Sequence, residues 1–380
     1  MNSNRTEDDI RLMNTPKSVD LSVTNRCNLR CDYCYHFTGA GESGSDLSTK
    51  EWLDFFEELN RCAVLDVSIS GGEPFMRKDL RELIQGIVRN RMRFSIQSNG
   101  TLITDEMASF IANTGRCNSV QISIDGSYPA THDAFRGKGN FEKAVAGLKC
   151  LQKHKIPVTV RVTIHRHNVN DLDKIAKFLL EELNLPGFST NAAGYIGLCK
   201  SNSEEVQLTV DERSLAMDTL LRLNAKYDGR IGAQAGPLAE AQNWLKMEKA
   251  RLEKQKAFTD CGYLRSCGGF FSKMAVRADG VMVPCNQMSH VELGRINQDN
   301  FKEVWQNHSE LKRLRKRRNI PLADFDFCRS CGYIPYCRGN CPALAYTLTG
   351  EENHPSPDAC LKRFLESGGK LPQNTQVEKS

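Results

Sequence analysis

From residue 19 to residue 193, short runs rich in β-branched residues alternate with segments of helical period. The strand-like runs are VDLSVT (19–24), LDVSIS (65–70), RFSIQS (93–98), SVQISID (119–125), VTVRVTI (158–164) and, more weakly, GFSTNAA (187–193). Between them lie STKEWLDFFEELNRC, KDLRELIQGIVRN, TDEMASFIANTG, NFEKAVAGLKCLQKH and DLDKIAKFLLEEL. Several of these open on a capping residue, such as Ser48 ahead of Glu51 and Thr104 ahead of Met107. Six βα units in series predict an α/β fold, a parallel sheet with helices outside. Six is two short of a closed eight-fold barrel, so the expectation is an open, partial (β/α)6 TIM-like barrel spanning 17–199, with its chemistry at the C-terminal ends of the strands.

Around this core, residues 1–16 read as a polar lead-in and 200–258 as a strandless helical bridge. Residues 259–365 read as a small cysteine-rich domain and 366–380 as a disordered tail. The chain has 380 residues, of which 40% are hydrophobic and 26% charged, enough for a large core and incompatible with wholesale disorder. No apolar run reaches transmembrane length, and the N-terminus lacks the apolar core of a signal peptide, so a cytoplasmic protein with no membrane partner is expected. A net charge of +5 does not demand a nucleic-acid partner. The run from Lys312 to Arg318 carries six basic residues in seven and reads as a solvated basic helix face, with few aromatics interleaved to stack on bases.

Fifteen cysteines, an odd number in a chain without a leader, point to metal or cluster ligands rather than a disulfide framework. Cys27, Cys31 and Cys34 stand in a C-x3-C-x2-C array directly after the first strand. Three thiolates leave a tetrahedral metal or a four-iron cluster one ligand short, and catalysis requires such an opening. A zinc site completed from elsewhere in the chain is the alternative on spacing alone. The array CNLRCDYCY resembles the motif of the radical S-adenosylmethionine (SAM) superfamily. The resemblance implies that the three cysteines hold a [4Fe-4S] cluster, that SAM chelates the fourth iron, and that Tyr35 contacts the adenine.

Gly71-Gly72-Glu73-Pro74 closes the second strand. Paired glycines let backbone approach a ligand closely, and a carboxylate beside them can take an ammonium. This run is similar to the family's GGE motif, which implies binding of the SAM amino group. Ser98 and Asn99 end the third strand, and Ser123 and Asp125 lie at the end of the fourth, small polar groups suited to ribose hydroxyls or a carboxylate. Arg136 could pair with the SAM carboxylate as a bidentate donor. His165 and His167, after the fifth strand, read as polar loop residues.

The C-terminal cysteines are Cys261, Cys267, Cys285, Cys328, Cys331, Cys337, Cys341 and Cys360, enough for two four-thiolate sets. Their chemistry alone leaves zinc and iron–sulfur open. The run from Cys267 to Cys360 resembles the SPASM extension found behind radical SAM barrels that modify peptides. That resemblance implies two auxiliary clusters, one on Cys261, Cys267, Cys285 and Cys341, the other on Cys328, Cys331, Cys337 and Cys360. It makes three [4Fe-4S] clusters in all. Of the cysteines left over, Cys62 and Cys150 read as small buried hydrophobes, and Cys199 is the one placed near the active end.

The resemblance implies an oxidoreductase that cleaves SAM reductively to a 5′-deoxyadenosyl radical and abstracts hydrogen from a ribosomally made precursor peptide, installing a crosslink, thioether or other oxidation. A flavodoxin or ferredoxin-type donor would supply the electron. Fewer than 20 residues precede the first strand, so leader recognition would fall to a separate leader-binding protein or to the barrel surface. A sulfatase-maturing activity is the first alternative, against which Cys285 is followed by Asn286 where those enzymes carry an Asp base. The others are a radical enzyme acting on RNA or a small molecule, and an iron–sulfur electron-transfer protein without catalysis.

Overall fold

The computed structural model describes residues 12–37, 45–265 and 267–373. Most of the lead-in (1–11) and the end of the tail (374–380) lie outside the described residues. All six expected strands are present: β1 (Ser18–Ser22), β2 (Asp66–Ser70), β3 (Arg93–Ser98), β4 (Cys117–Ser123), β5 (Val158–Ile164) and β6 (Phe188–Ala192). They pair in parallel and in sequence order. The intervening helices are α1 (Thr49–Arg61), α2 (Leu80–Arg89), α3 (Asp105–Asn113), α4 (Pro129–Arg136), α5 (Asn140–Lys153) and α6 (Leu172–Lys177), the last continued by a π-helical turn over Phe178–Glu182.

Local chemistry sets these elements. Ser48 and Glu51 form a reciprocal capping box at the start of α1, and Trp52, Phe55, Phe56 and Leu59 recur at helical spacing on its buried face. Consecutive parallel strands joined by right-handed crossovers put every helix on the same face of the sheet. Val19, Leu21, Val67, Ile69, Phe94, Ile96, Val120, Ile122, Val160 and Val162 point to that face and form the core. The alternate residues line the other, uncovered face, here called the lumen: Asp20, Ser68, Ser95, Gln97, Gln121, Ser123, Thr159, Arg161 and Ser189, all less buried and all polar.

The sheet is longer than expected. The bridge contributes a strand, β7 (Ile231–Ala233), that pairs in parallel with β6 between helices α7 (Val210–Lys226) and α8 (Pro237–Leu252). Its three residues are too few to register as a strand pattern. The cysteine-rich region adds β8 (Lys273–Val276), parallel to β1, and β9 (Met282–Val283), antiparallel to β8. The order is β7-β6-β5-β4-β3-β2-β1-β8-β9, an open sheet. The C-terminal region therefore shares a hydrogen-bonded edge with the barrel.

Other contacts tie the ends of the chain down. The Met13 and Asn14 carbonyls accept from Trp305 Nε1 at 2.9 Å and Gln306 Nε2 at 2.8 Å. Arg213 on α7 pairs with Glu240 on α8 and with Asp358. Residues 367–373, read as part of a disordered tail, are placed: the Lys370 N–H donates to Ser214 Oγ at 3.1 Å, and Leu371 packs beside a cluster containing Trp244 and Phe364. The basic run also departs from its reading. Arg315 and Arg317 are 4% and 1% exposed. Arg315 donates to the Phe270 carbonyl and lies over the Trp305 ring, and Arg317 donates to the carbonyls of Arg265, Glu352 and Asn340. Buried carbonyls without sheet partners need donors, and these two guanidiniums supply them.

Helix α5 reaches the sheet end only because residue 147 is glycine. A Cβ there would stand 2.1 Å from the Gly100 carbonyl oxygen, which backbone cannot yield cheaply. Gly147→Ala should lower unfolding stability by about 2–3 kcal/mol, read as a reduced urea midpoint at unchanged slope. An unchanged midpoint would contradict the packing described.

Candidate active site

The loop after β1 carries Cys27, Cys31 and Cys34 and is clamped from both sides. Asp46 accepts from Thr24 Oγ1 at 2.5 Å and from the Asn25 N–H at 2.8 Å. The N–H groups of Gly72 and Glu73 donate to the carbonyls of Thr24 and Arg26 at 2.7 and 2.8 Å. A Cβ on Gly71 would stand 2.4 Å from the Thr24 oxygen, and one on Gly72 would stand 2.2 Å from the Arg26 oxygen. Gly71 also has φ +131°. The paired glycines thus admit the chain's own cysteine loop, a close approach first read as one toward a ligand.

Pro74 opens a single 3-10 turn after Glu73, over Pro74–Met76. The Glu73 carboxylate is fully buried and accepts from Ser98 Oγ at 2.9 Å, the Asn99 N–H at 2.8 Å and the Phe75 N–H at 3.2 Å. Burial raises its pKa to about 7, against the pull of these three donors. Asn99 then reaches the loop itself, its Nδ2 donating to Asn28 Oδ1 at 2.9 Å and lying 3.9 Å from Cys27 Sγ. Glu73, Ser98 and Asn99 join the ends of β2 and β3 to the cysteine loop.

The opposite wall centres on Asp125, which is also fully buried. Its carboxylate accepts from Arg136 Nε at 2.5 Å, the Thr163 N–H at 2.8 Å and the Tyr33 hydroxyl. Burial alone would raise its pKa; Arg136, His165 and His132 outweigh burial and hold it below the usual range. Arg136, read as a partner for a ligand carboxylate, lies on α4 and spends its charge on Asp125, because a fully buried carboxylate needs a cation. His165 corrects another reading. It lies in the loop after β5 as expected, but it is 1% exposed, stacked on Tyr33 at 5.5 Å and edge-on to Phe135 at 4.6 Å. Neither ring nitrogen has a hydrogen-bond partner. Burial lowers its pKa to about 4. His167 is exposed beside Phe135.

Burial pushes Cys31 up to about 12, with Cys34 and Cys27 adding to the rise, and burial also raises Cys27, with Cys34 adding to it. Among the described residues the one trio of ligating atoms all within 4.8 Å of each other is Asp105, Cys150 and His154, at the surface, where Lys153 already sits 2.6 Å from Asp105. The three thiols of this one loop would supply three of the four ligands of a four-iron cluster and leave one iron open. Cys199 packs behind the loop, fully buried, and accepts from Gln207 Nε2 at 3.1 Å.

Tyr35 turns its ring to the lumen, 37% exposed. Burial raises its phenol, and it senses Cys34, Cys285, Asp20 and Arg161. Ser123 lies on the same face, in register with Arg161, and its hydroxyl accepts from Gln121 Nε2 at 3.5 Å. The lumen residues Asp20, Gln97, Gln121 and Arg161 were missed in the sequence. Their signal was the strict alternation of apolar and polar residues within the strands, which marks a sheet covered on one face.

Residues 21–179 match the Radical SAM superfamily, and residues 267–332 match an iron-sulfur cluster-binding domain, SPASM. The chain is 31% identical to the Fe-coproporphyrin III synthase of Methanosarcina barkeri, over 87% of this chain and 84% of that protein. The chain belongs to the radical SAM superfamily. It is also 28% identical to the mycofactocin maturase MftC of Mycobacterium tuberculosis, over 94% of this chain and 85% of the relative. In fold it resembles SuiB of Streptococcus suis, solved with S-adenosylmethionine, at a TM-score of 0.69 and 15% identity, covering 92% of this chain and 78% of that one. This radical SAM enzyme therefore carries a SPASM domain, and the two domains imply SAM and [4Fe-4S] clusters as its cofactors.

In the SPASM region the structure gathers the cysteines into two groups. Cys285 and Cys341 both sense Cys267, and burial pushes Cys285 up to about 12. Cys328, Cys337 and Cys360 each sense Cys331, with burial pushing Cys337 up to about 12. The N–H of Gly262, next to Cys261, bonds the Cys337 carbonyl at 2.9 Å.

Glu73 gives the site a pH signature. Its folded pKa, about 7, lies above the ordinary 4.5, so the native state holds a proton that the unfolded chain releases. Its contribution to stability is present below pH 4.5 and lost as pH rises through 7. In SAM-free protein, wild type should lose about 3 kcal/mol between pH 4.5 and 7.5 relative to Glu73→Gln, measured by urea unfolding. Parallel pH profiles for the two proteins would refute this.

Proposed function

We propose that this radical SAM enzyme binds one [4Fe-4S] cluster on Cys27, Cys31 and Cys34 and abstracts hydrogen from a substrate held in the polar lumen. SAM with its cluster supplies a carbon radical able to take hydrogen from an unactivated C–H bond. The protein residues supply placement and exclusion of water. Gly71 and Gly72 let the cysteine loop seat against β2, and Glu73 with Asn99 fixes that loop to β3. Asp125, Arg136 and Tyr33 fix its far side, and His165 and Phe135 seal the wall behind it. Tyr35 and Ser123 face the lumen, in position to meet the nucleoside part of SAM. The observation that carries this reading is a loop with three cysteines, clamped at the C-terminal end of β1 inside the stretch that matches the radical SAM superfamily.

Two further clusters are proposed on the two C-terminal groups of cysteines, with Cys261 as the eighth ligand. With every iron ligated by protein, they would carry electrons rather than bind substrate, and a flavodoxin or ferredoxin would serve as donor. For substrate we propose a precursor peptide, oxidised or crosslinked by the enzyme, with any leader-binding protein separate. Relation to the maturase MftC supports this. The Fe-coproporphyrin III synthase relative, at 31% identity, favours a second reading in which the lumen takes a tetrapyrrole. Titration with Fe-coproporphyrin III separates the two: a shifted Soret band marks a tetrapyrrole site, and an unshifted band leaves the peptide.

Anaerobically reconstituted protein should bind about 12 irons per chain, the content of three four-iron clusters. With dithionite and SAM it should form 5′-deoxyadenosine. Replacing Cys27, Cys31 and Cys34 together by alanine should remove about four irons and abolish 5′-deoxyadenosine formation. Zinc in the front site, or 5′-deoxyadenosine from the triple variant, would sink the proposal.

A further inference from the structure

The lumen contains a cation with no partner. Arg161 sits in the middle of β5, in register with Ser123 on β4 and Ser189 on β6. Its neighbours Val160 and Val162 are fully buried under the helices, so its own side chain projects to the uncovered face. Among the described residues its guanidinium makes no hydrogen bond and no ion pair. The contrast with arginines nearby is sharp: Arg136 is neutralised by Asp125, Arg77 by Asp79 and Arg166 by Glu212. The guanidinium is open to the lumen yet ringed by enough protein that burial lowers its pKa.

Its surroundings place it between the two halves of the active site. The group it senses is the Tyr35 phenol, and Tyr35 in turn senses Cys34 in the front loop and Cys285 in the SPASM domain. Asp20, the acid of the lumen, lies on β1, four strands from β5 in the sheet, where Lys273 of β8 acts on it, and it forms no ion pair with Arg161. A partly desolvated charge without a partner lowers stability, and such charges persist where a ligand completes them. The planar fork of a guanidinium matches a carboxylate with two parallel N–H···O bonds.

We propose that Arg161 binds a carboxylate of the substrate inside the lumen. This deepens the function proposed above and rests on it. An acidic side chain or terminus of a peptide presents that group, as does a carboxylated side chain of a tetrapyrrole. SAM also carries a carboxylate, so the test must separate the two sources.

Phenylglyoxal modification of the reconstituted full-length protein, read by peptide mass mapping, reports on Arg161 directly, with exposed Arg91 as internal control. Glutarate serves as the carboxylate probe, against chloride at equal ionic strength. Under saturating SAM, Arg161 should still react, and glutarate should slow its modification about tenfold while leaving Arg91 unaffected. Arg161→Met should bind SAM with an unchanged dissociation constant, and Arg161→Lys should retain part of the glutarate affinity. Protection by SAM but not by decarboxylated SAM would assign the residue to the cofactor and overturn the proposal, as would the absence of protection by glutarate. Wild-type protein that binds no SAM would overturn the function proposed above, whereas the glutarate arm, run with and without SAM, decides Arg161 independently.

Discussion

A parallel sheet whose crossovers all pass over one face leaves its other face without a cover, and most of what is distinctive in this molecule follows from that constraint. The helix side is filled by Val, Ile, Leu and Phe from every strand, and burial of that surface supplies the main driving force for folding. The lumen side cannot be apolar without aggregating or collapsing, so it carries Ser, Gln, Thr, Asp and Arg. The same one-sidedness leaves space at the strand ends for a loop of three cysteines to fold inward over the sheet.

That loop has little apolar content of its own and is held by polar contacts, most of them buried. Two carboxylates do the anchoring by opposite means. Glu73 is fed by two backbone N–H groups and a hydroxyl, with Arg136 acting on it only from a distance and no ion pair formed, and burial drives it toward the protonated form. Asp125 has a guanidinium against it and stays ionised at the same degree of burial. The difference is one charge. It explains why Arg136 is withdrawn from the pool of ligand-binding cations, and why the lumen's positive charge falls to a residue on the next strand.

Much of this was legible from residue order. The six strands and the helices between them follow from hydrophobic period and capping, as Ser48 with Glu51 illustrates, and the cysteine loop falls at a strand end where an α/β fold places chemistry. What escaped notice has physical causes. Ile231–Ala233 is a strand because β6 offers it an open edge, not because three residues prefer one. The burial of Arg315 and Arg317 depends on carbonyls contributed by distant loops, and a basic run reads alike whether solvated or buried. The inward role of Gly71 and Gly72 depends on which backbone lies opposite, and a glycine pair does not record its partner.

The join between barrel and SPASM domain bears on how the two groups of cysteines could work together. β8 hydrogen-bonds β1 along four residues, and β1 leads directly into the front loop, so a single strand couples the positions of Cys27 and Cys285. Tyr35 senses thiolates on both sides of the lumen. A hinge between the domains would let that gap open and close, whereas a shared sheet holds its width nearly constant. The fold therefore presets the distance between the radical-forming and electron-accepting ends of the proposed reaction, and leaves recognition of the substrate to the polar side chains that line the gap.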